Sequence, residues 1–104
     1  MDNLDATINK VGFEIANMLD ENLINKLLGV LAQDGVYAMW VYTKSKKEIK
    51  ENEFYEKLKT ILNISDDSYE EYFQKLSNNI NELLFKKELL EKALTYARYH
   101  AKAK

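Results

Sequence analysis

The 104-residue chain contains no cysteine and no proline, and its only glycines are Gly12, Gly29 and Gly35. Without thiols there are no disulfides, thiolate nucleophiles or cysteine metal sites. That absence suits a cytosolic protein, and a cytoplasmic location is expected. Without proline, and with few glycines, little in the chain breaks helices. The pattern points to helices joined by short polar turns. Arginine is nearly absent too: fourteen of the fifteen basic residues are lysine, and Arg98 is the exception. The forked guanidinium is the preferred phosphate ligand, so its scarcity argues against dense phosphate recognition. The 15 basic and 17 acidic residues leave a net charge of -2, which gives no global pull toward nucleic acid or membrane. No apolar run reaches the length of a membrane span. The acidic, polar start Met1-Asp2-Asn3-Leu4-Asp5 is unlike a signal peptide.

What is present concentrates at residues 34–44. This stretch holds the only tryptophan, Trp40, and two of the seven tyrosines, in the densest apolar run of the chain. Its β-branched and aromatic residues favour a strand in isolation. A lone strand leaves its backbone unpaired, however, and no second strand candidate exists. Read as a helix, it carries one stripe of Val36, Met39, Trp40 and Thr43, and a second of Tyr37, Val41 and Lys44. A helix apolar nearly all round is expected at the centre of a bundle. Asp34 is its expected N-cap, with Gly35 at the junction.

The rest of the chain yields helices on either side. The spacing predicts a first helix over 7–19, with Asp5 as cap and Ile8, Val11, Ile15 and Leu19 on one face; Phe13, Ala16 and Met18 broaden it. Gly12 within it marks either a close helix approach or nothing. A second helix covers 23–32 through Leu23, Ile24, Leu27, Leu28 and Leu31. It is either separate from the 36–44 helix or continuous with it as a kinked rod. A fourth begins at a cap on Asn52 and buries Phe54, Leu58, Ile61 and Leu62. Ser68 and Glu71 form a capping box for the next helix. Ser77-Asn78-Asn79 then breaks the chain before a last helix reaching Ala101, unless 68–101 is one rod. In that last helix, Ile80, Leu83, Leu84, Leu90, Leu94 and Ala97 form the expected buried side. Phe85, Leu89, Ala93 and Tyr96 lie alongside. The expectation is a single all-α domain over 1–104: a bundle of five or six helices without a sheet.

Chemistry-bearing patterns are few. There is no Walker loop, dinucleotide fingerprint, nucleophile elbow or zinc spacing. The lone His100 lacks a catalytic neighbour in the sequence and reads as a dipole-complementing residue in a last turn. Asp66, Asp67, Glu70 and Glu71 suggest calcium, but they lack the glycine and alternating ligands of an EF-hand loop. Their place at a helix start explains them. No enzyme activity, metal or cofactor is expected, and no small-molecule substrate is evident. The tyrosines read as partly buried rings with wet hydroxyls. The most basic segment is 44–50, with Lys44, Lys46, Lys47 and Lys50 against Glu48. It is either a solvated helix end or an edge that contacts phosphate.

Two segments carry a resemblance. The turn Gln33-Asp34-Gly35 leads into an apolar helix bearing Ala38 and ending in Lys44-Ser45-Lys46, and the final helix includes Leu94-Thr95-Tyr96-Ala97-Arg98-Tyr99-His100-Ala101-Lys102. Together they resemble the small all-helical subunit of type III CRISPR effector complexes, over about a third of the chain. The chain departs from that family in being short, acidic overall and nearly free of arginine. The resemblance implies a non-catalytic subunit that helps cradle RNA or displaced target strand. Lys44, Lys46, Lys47, Lys50, Arg98 and Lys102 would be its nucleic-acid contacts. The alternative is a protein-interaction or regulatory helical module, including a homodimer, that binds no nucleic acid.

Overall fold

Three short polar side chains set three of the helix starts. The Asp20 carboxylate accepts the Leu23 N–H at 2.8 Å, the Ser68 hydroxyl accepts that of Glu71 at 3.1 Å, and the Asn79 amide oxygen accepts that of Glu82 at 3.2 Å. Each bond satisfies a first-turn donor that no helical carbonyl can reach. The computed structural model describes residues 3–64 and 68–104. They form α1 (Asn3–Ala16), α2 (Glu21–Asp34), α3 (Val36–Ser45), α4 (Glu51–Leu62), α5 (Tyr69–Ser77) and α6 (Ile80–Ala103), with no strand among them.

Residues 36–44 are therefore helical, as their neighbourhood demands rather than as their propensity suggests. Glycine separates α2 from α3 in a single residue. The Gly35 N–H closes α2 on the Leu31 carbonyl, and its own carbonyl accepts the Met39 N–H to open α3. Doing both jobs needs φ +98° and ψ -176°, a conformation essentially reserved for glycine. Asp34 is consequently the last residue of α2 and not the cap of α3, which has no side-chain cap. Likewise α4 starts at Glu51 after Lys50, so Asn52 lies inside the helix and does not cap it. α1 begins at Asn3, with Asp5 in its first turn, and ends at Ala16. The break at 77–79 is real: α5 stops at Ser77 and Asn79 caps α6.

α1 and α6 form the frame. They run in the same direction, with Gly12 beside Ala93–Ala97 and Ala16 beside Lys104. A Cβ on Gly12 would sit 2.7 Å from the Tyr96 Cβ and 2.9 Å from the Ala93 carbonyl oxygen. Gly12 thus marks a close helix approach. α2 and α4 flank this pair, and α5 closes the core over α3 and α6. Ile8, Ile15, Ile24, Leu27, Leu31, Met39, Phe54, Leu58, Leu62, Phe73, Leu90 and Leu94 share one continuous interior.

Two expectations about burial are corrected. α3 is not central: Val36, Met39, Trp40 and Thr43 face the core, whereas Tyr37, Val41 and Lys44 face solvent. The reason is its position, packed on α2 and α5 and only grazing α6. Ile80 and Leu84, assigned to the buried side of α6, are 64% and 56% exposed, and Phe85 is 48% exposed. α6 has 24 residues and is therefore roughly 36 Å long. It spans the whole molecule, whose extents are 38 × 36 × 25 Å, and Ile80, Leu84 and Phe85 point away from its buried stripe of Lys86, Leu90, Ala93 and Ala97. Phe13 is exposed as well, on the outer flank of α1.

Glycine replacements separate these effects. Gly12→Ala should destabilise by about 2 kcal/mol, because overpacking against backbone outweighs helix propensity. Gly29 is helical with open space around it. Gly29→Ala should stabilise by about 0.5–1 kcal/mol. Urea melts of both variants check the opposite signs.

Candidate nucleic-acid interface

The basic residues singled out by the sequence occupy the end of α3, the α3–α4 turn and the end of α6. Lys44 and Lys46 sit where α3 stops, and cations there complement its dipole. Both fold over aromatic faces. The Lys44 ammonium lies 4.2 Å from the Trp40 ring centroid, and that of Lys46 lies 5.3 Å from the Tyr42 centroid. Such cation–π contacts are worth about 0.5–1 kcal/mol at exposed sites. Lys47 and Lys50 are exposed, and no ion pair engages either of them among the described residues. Between residues 44 and 53, however, Glu48, Glu51 and Glu53 interleave with the four lysines and leave a surplus of one positive charge.

Arg98 and Lys102 project from the last turns of α6. Lys102 approaches Glu21 at the start of α2 to 3.9 Å, and the Arg98 guanidinium lies 5.7 Å from the Tyr99 ring. The Arg98 Nε is buried without a hydrogen-bond acceptor among the described residues. The two basic groups border one feature, the α1–α2 turn. Lys50 lines a cleft with Asn17, Met18 and Leu19; Lys102 meets Glu21, just beyond the turn. Lys104, which sequence reasoning missed, donates to the Ala16 carbonyl at 2.6 Å and caps the end of α1. Its signal was the alternating Ala-Lys-Ala-Lys terminus.

Beneath the lysines lies a structural corner. The Trp40 ring is buried, stacks on Phe73 at 5.5 Å, and donates its Nε1–H to Glu51 at 3.0 Å. The Thr43 hydroxyl donates to the Trp40 carbonyl at 2.6 Å. Since a hydroxyl has one proton, the Tyr55 hydroxyl, 3.0 Å away, donates to Thr43. Tyr55 is wholly buried, contrary to the expectation of wet tyrosine hydroxyls. Burial pushes its phenol well above the usual range, and the charge of Glu51 and the neighbouring Tyr69 add to this. The opposing hydroxyl, Thr43, is committed to the Trp40 carbonyl and offsets burial only in part.

His100 lies in the last turn of α6, as expected, but is less exposed than a solvated helix end. It is half-buried and bridges helices: its Nε2 lies 2.8 Å from the Asn9 Oδ1, and its ring meets Phe13 edge-on at 5.4 Å. Asp66 and Asp67 of the acidic cluster lie outside the described residues. No group of three metal-ligating side chains occurs among the described residues. No helix there is long and apolar enough to cross a membrane. No protein-family model, curated protein or solved structure matches this chain.

Two measurements test the corner. Trp40→Ala should cost about 3–5 kcal/mol, as large-to-small core changes do. Trp40→Phe keeps a ring and loses the bond to Glu51, and should cost about 1–2 kcal/mol. For Tyr55 the folded pKa exceeds the unfolded one. The unfolded chain therefore releases the phenol proton first, and stability falls as pH rises above about 10. Urea melts from neutral to alkaline pH should show this fall in the wild type and a shallower one in Tyr55→Phe.

Proposed function

We propose that the chain is a non-catalytic helical assembly module, recognised through its surface by other protein subunits or by a second copy of itself. The observation that carries this is an exposed apolar cluster at the start of α6. Ile80 and Leu84 lie one turn apart on the same face, with Phe85 beside them, and all three are exposed. Single exposed apolar residues are ordinary, but a cluster on one helix end is what interfaces cover. Tyr37 and Val41, one turn apart on the outer face of α3, add a second apolar pair.

A narrower form of the same proposal is a small subunit of a type III CRISPR effector complex that helps cradle RNA. It rests on the resemblance at residues 33–46 and 94–102. It is also supported by the placement of Lys50 on one border of the α1–α2 turn, in a cleft shared with Glu48 and Glu53, and of Lys102 on the other. With so small a local surplus of charge, the isolated chain would bind RNA weakly, and neighbouring subunits would supply the remaining positive charge.

The test is purification of the tagged protein from its own host, with light scattering of the isolated chain over a wide concentration range. Ile80→Glu combined with Leu84→Glu should weaken association with the copurifying subunit, or with itself, by at least about tenfold, ~1.4 kcal/mol. Helicity and melting temperature should not change. A chain that is monomeric throughout and copurifies with nothing would refute the assembly reading. Lys47→Glu with Lys50→Glu should reduce RNA retained by the complex and its dependence on salt; unchanged retention would reject the nucleic-acid form alone.

A further inference from the structure

The outer face of α6 carries a second periodicity beside its buried stripe. Asn81, Phe85, Glu88, Lys92, Thr95 and Tyr99 follow one another at alternating spacings of four and three residues. That is the seam of a helix that packs lengthwise against another helix. Thr95 is half-buried and the others are exposed, Phe85 at 48% and Tyr99 at 57%. Leu84 and Tyr96 flank the seam and are exposed as well.

Two features of this seam become partners when the helix is reversed. The first is a shape. A cleft of about 390 Å³ opens on the face, lined along α6 by Lys92, Thr95, Tyr96 and Tyr99, with Asp5, Glu88 and Glu91 adding acidic groups. Between paired helices, each seam residue enters a hole made by four residues of the facing helix. Lys92, Thr95, Tyr96 and Tyr99 are such a set, centred on Thr95, five residues after Leu90. Phe85, five residues before Leu90, is the exposed ring that fills this hole in a second, antiparallel copy. The same register lays Leu84 beside Tyr96 of that copy.

The second feature is charge. Glu88 and Lys92 lie two residues before and two after Leu90, so each faces the other's counterpart across the pair. Neither forms an ion pair within the chain among the described residues. A parallel pair would set Glu88 against Glu88 and Lys92 against Lys92, so charge selects the antiparallel arrangement. Glu91 approaches its own counterpart beside the axis and opposes the pairing. The seam from Asn81 to Tyr99 is about 27 Å long and half polar, which suits a weak, concentration-dependent contact.

We propose that the chain pairs with a second copy of itself through α6, antiparallel about a two-fold axis at the level of Leu90. Phe85 of each copy occupies the cleft at Thr95 of the other, and Glu88 of each copy meets Lys92 of the other. This rests on the assembly reading and commits its α6 surface to one partner, the chain itself.

The test is sedimentation of the intact chain from micromolar to millimolar concentration in low salt, where exposed charges are least screened. The wild type should pass from monomer to dimer. Glu88→Lys alone and Lys92→Glu alone each set like charges at both central contacts, and each should weaken self-association by at least about tenfold. An equimolar mixture of the two variants regains opposite charges at both contacts and should associate as the wild type does. Pairing of residues 88 and 92 within one helix cannot produce that recovery, because each variant carries like charges along its own helix. Phe85→Ala should weaken the dimer as well, with unchanged helicity. A wild type monomeric throughout, single variants that associate undiminished, or a mixture that does not recover would overturn the self-pairing. If self-pairing fails while Ile80→Glu with Leu84→Glu still releases a copurifying subunit, the occupant of this face is another protein and the assembly reading stands without a second copy.

Discussion

The backbones of α1 and α6 meet at Gly12, and the rest of the molecule is arranged around that approach. A side chain of any size there would run into the Ala93 carbonyl and the Ala97 nitrogen, atoms that cannot swing aside. Close approach lets Ile8, Val11 and Ile15 reach the same interior as Leu90, Leu94 and Ala97. Small residues on the opposing helix, Ala93 and Ala97, are fully buried and leave room for it. The His100–Asn9 bond and the Lys104 cap on Ala16 lie along the same seam and hold its register near the chain ends. The remaining four helices are placed by this pair.

The corner beneath the lysines shows how buried polar groups are accommodated in an otherwise apolar interior. Trp40 spends its N–H on Glu51 at the start of α4, where a carboxylate also complements the helix dipole. Tyr55 spends its proton on Thr43, and Thr43 spends its own on the backbone of Trp40. Each donor has one acceptor, so three helices, α3, α4 and α5, meet through a polar chain and an aromatic stack without an unpaired group. That accounting explains why Lys44 and Lys46 serve two purposes. Their charges lie at the surface while their heads cover the rings below.

Much of the fold was legible because caps and helical stripes are local signals. Ser68 and Asn79 cap helices as the capping-box pattern implies; the first α3 stripe and the α4 stripe are buried residue for residue where expected, and the α2 stripe is buried at Ile24, Leu27 and Leu31 and half-buried at Leu23 and Leu28. The failures share a physical cause. Apolar residues occur on both sides of α6, so Ile80 and Leu84 were placed in a core that the buried stripe of Lys86, Leu90, Ala93 and Ala97 faces and that they point away from. Asp34 looked like a cap because a one-residue joint at Gly35 has no sequence signature beyond the glycine itself. Tyr55 and Lys86 are amphipathic, and their burial depends on tertiary neighbours. Lys86 did carry a signal, its phase with Leu90, Ala93 and Ala97, which charge alone obscured. Of the basic residues, sequence showed that they cluster along the chain. Only the fold shows that the end of α6 and the α3–α4 turn border the same bend.

A lone indole in a six-helix chain has an optical consequence. Every photon of tryptophan emission from this protein comes from Trp40, whose ring touches α5 through Phe73, α4 through Glu51 and its own helix through Tyr37 and Lys44. Intrinsic fluorescence is therefore a built-in gauge of one joint, the docking of α3 onto α4 and α5, and is nearly blind to the α1–α6 seam. An event that loosens α3 will redden the spectrum before the helices themselves melt. One confined to the far seam will change circular dichroism while the emission colour stays fixed, so the two spectroscopies can time the halves of the molecule separately.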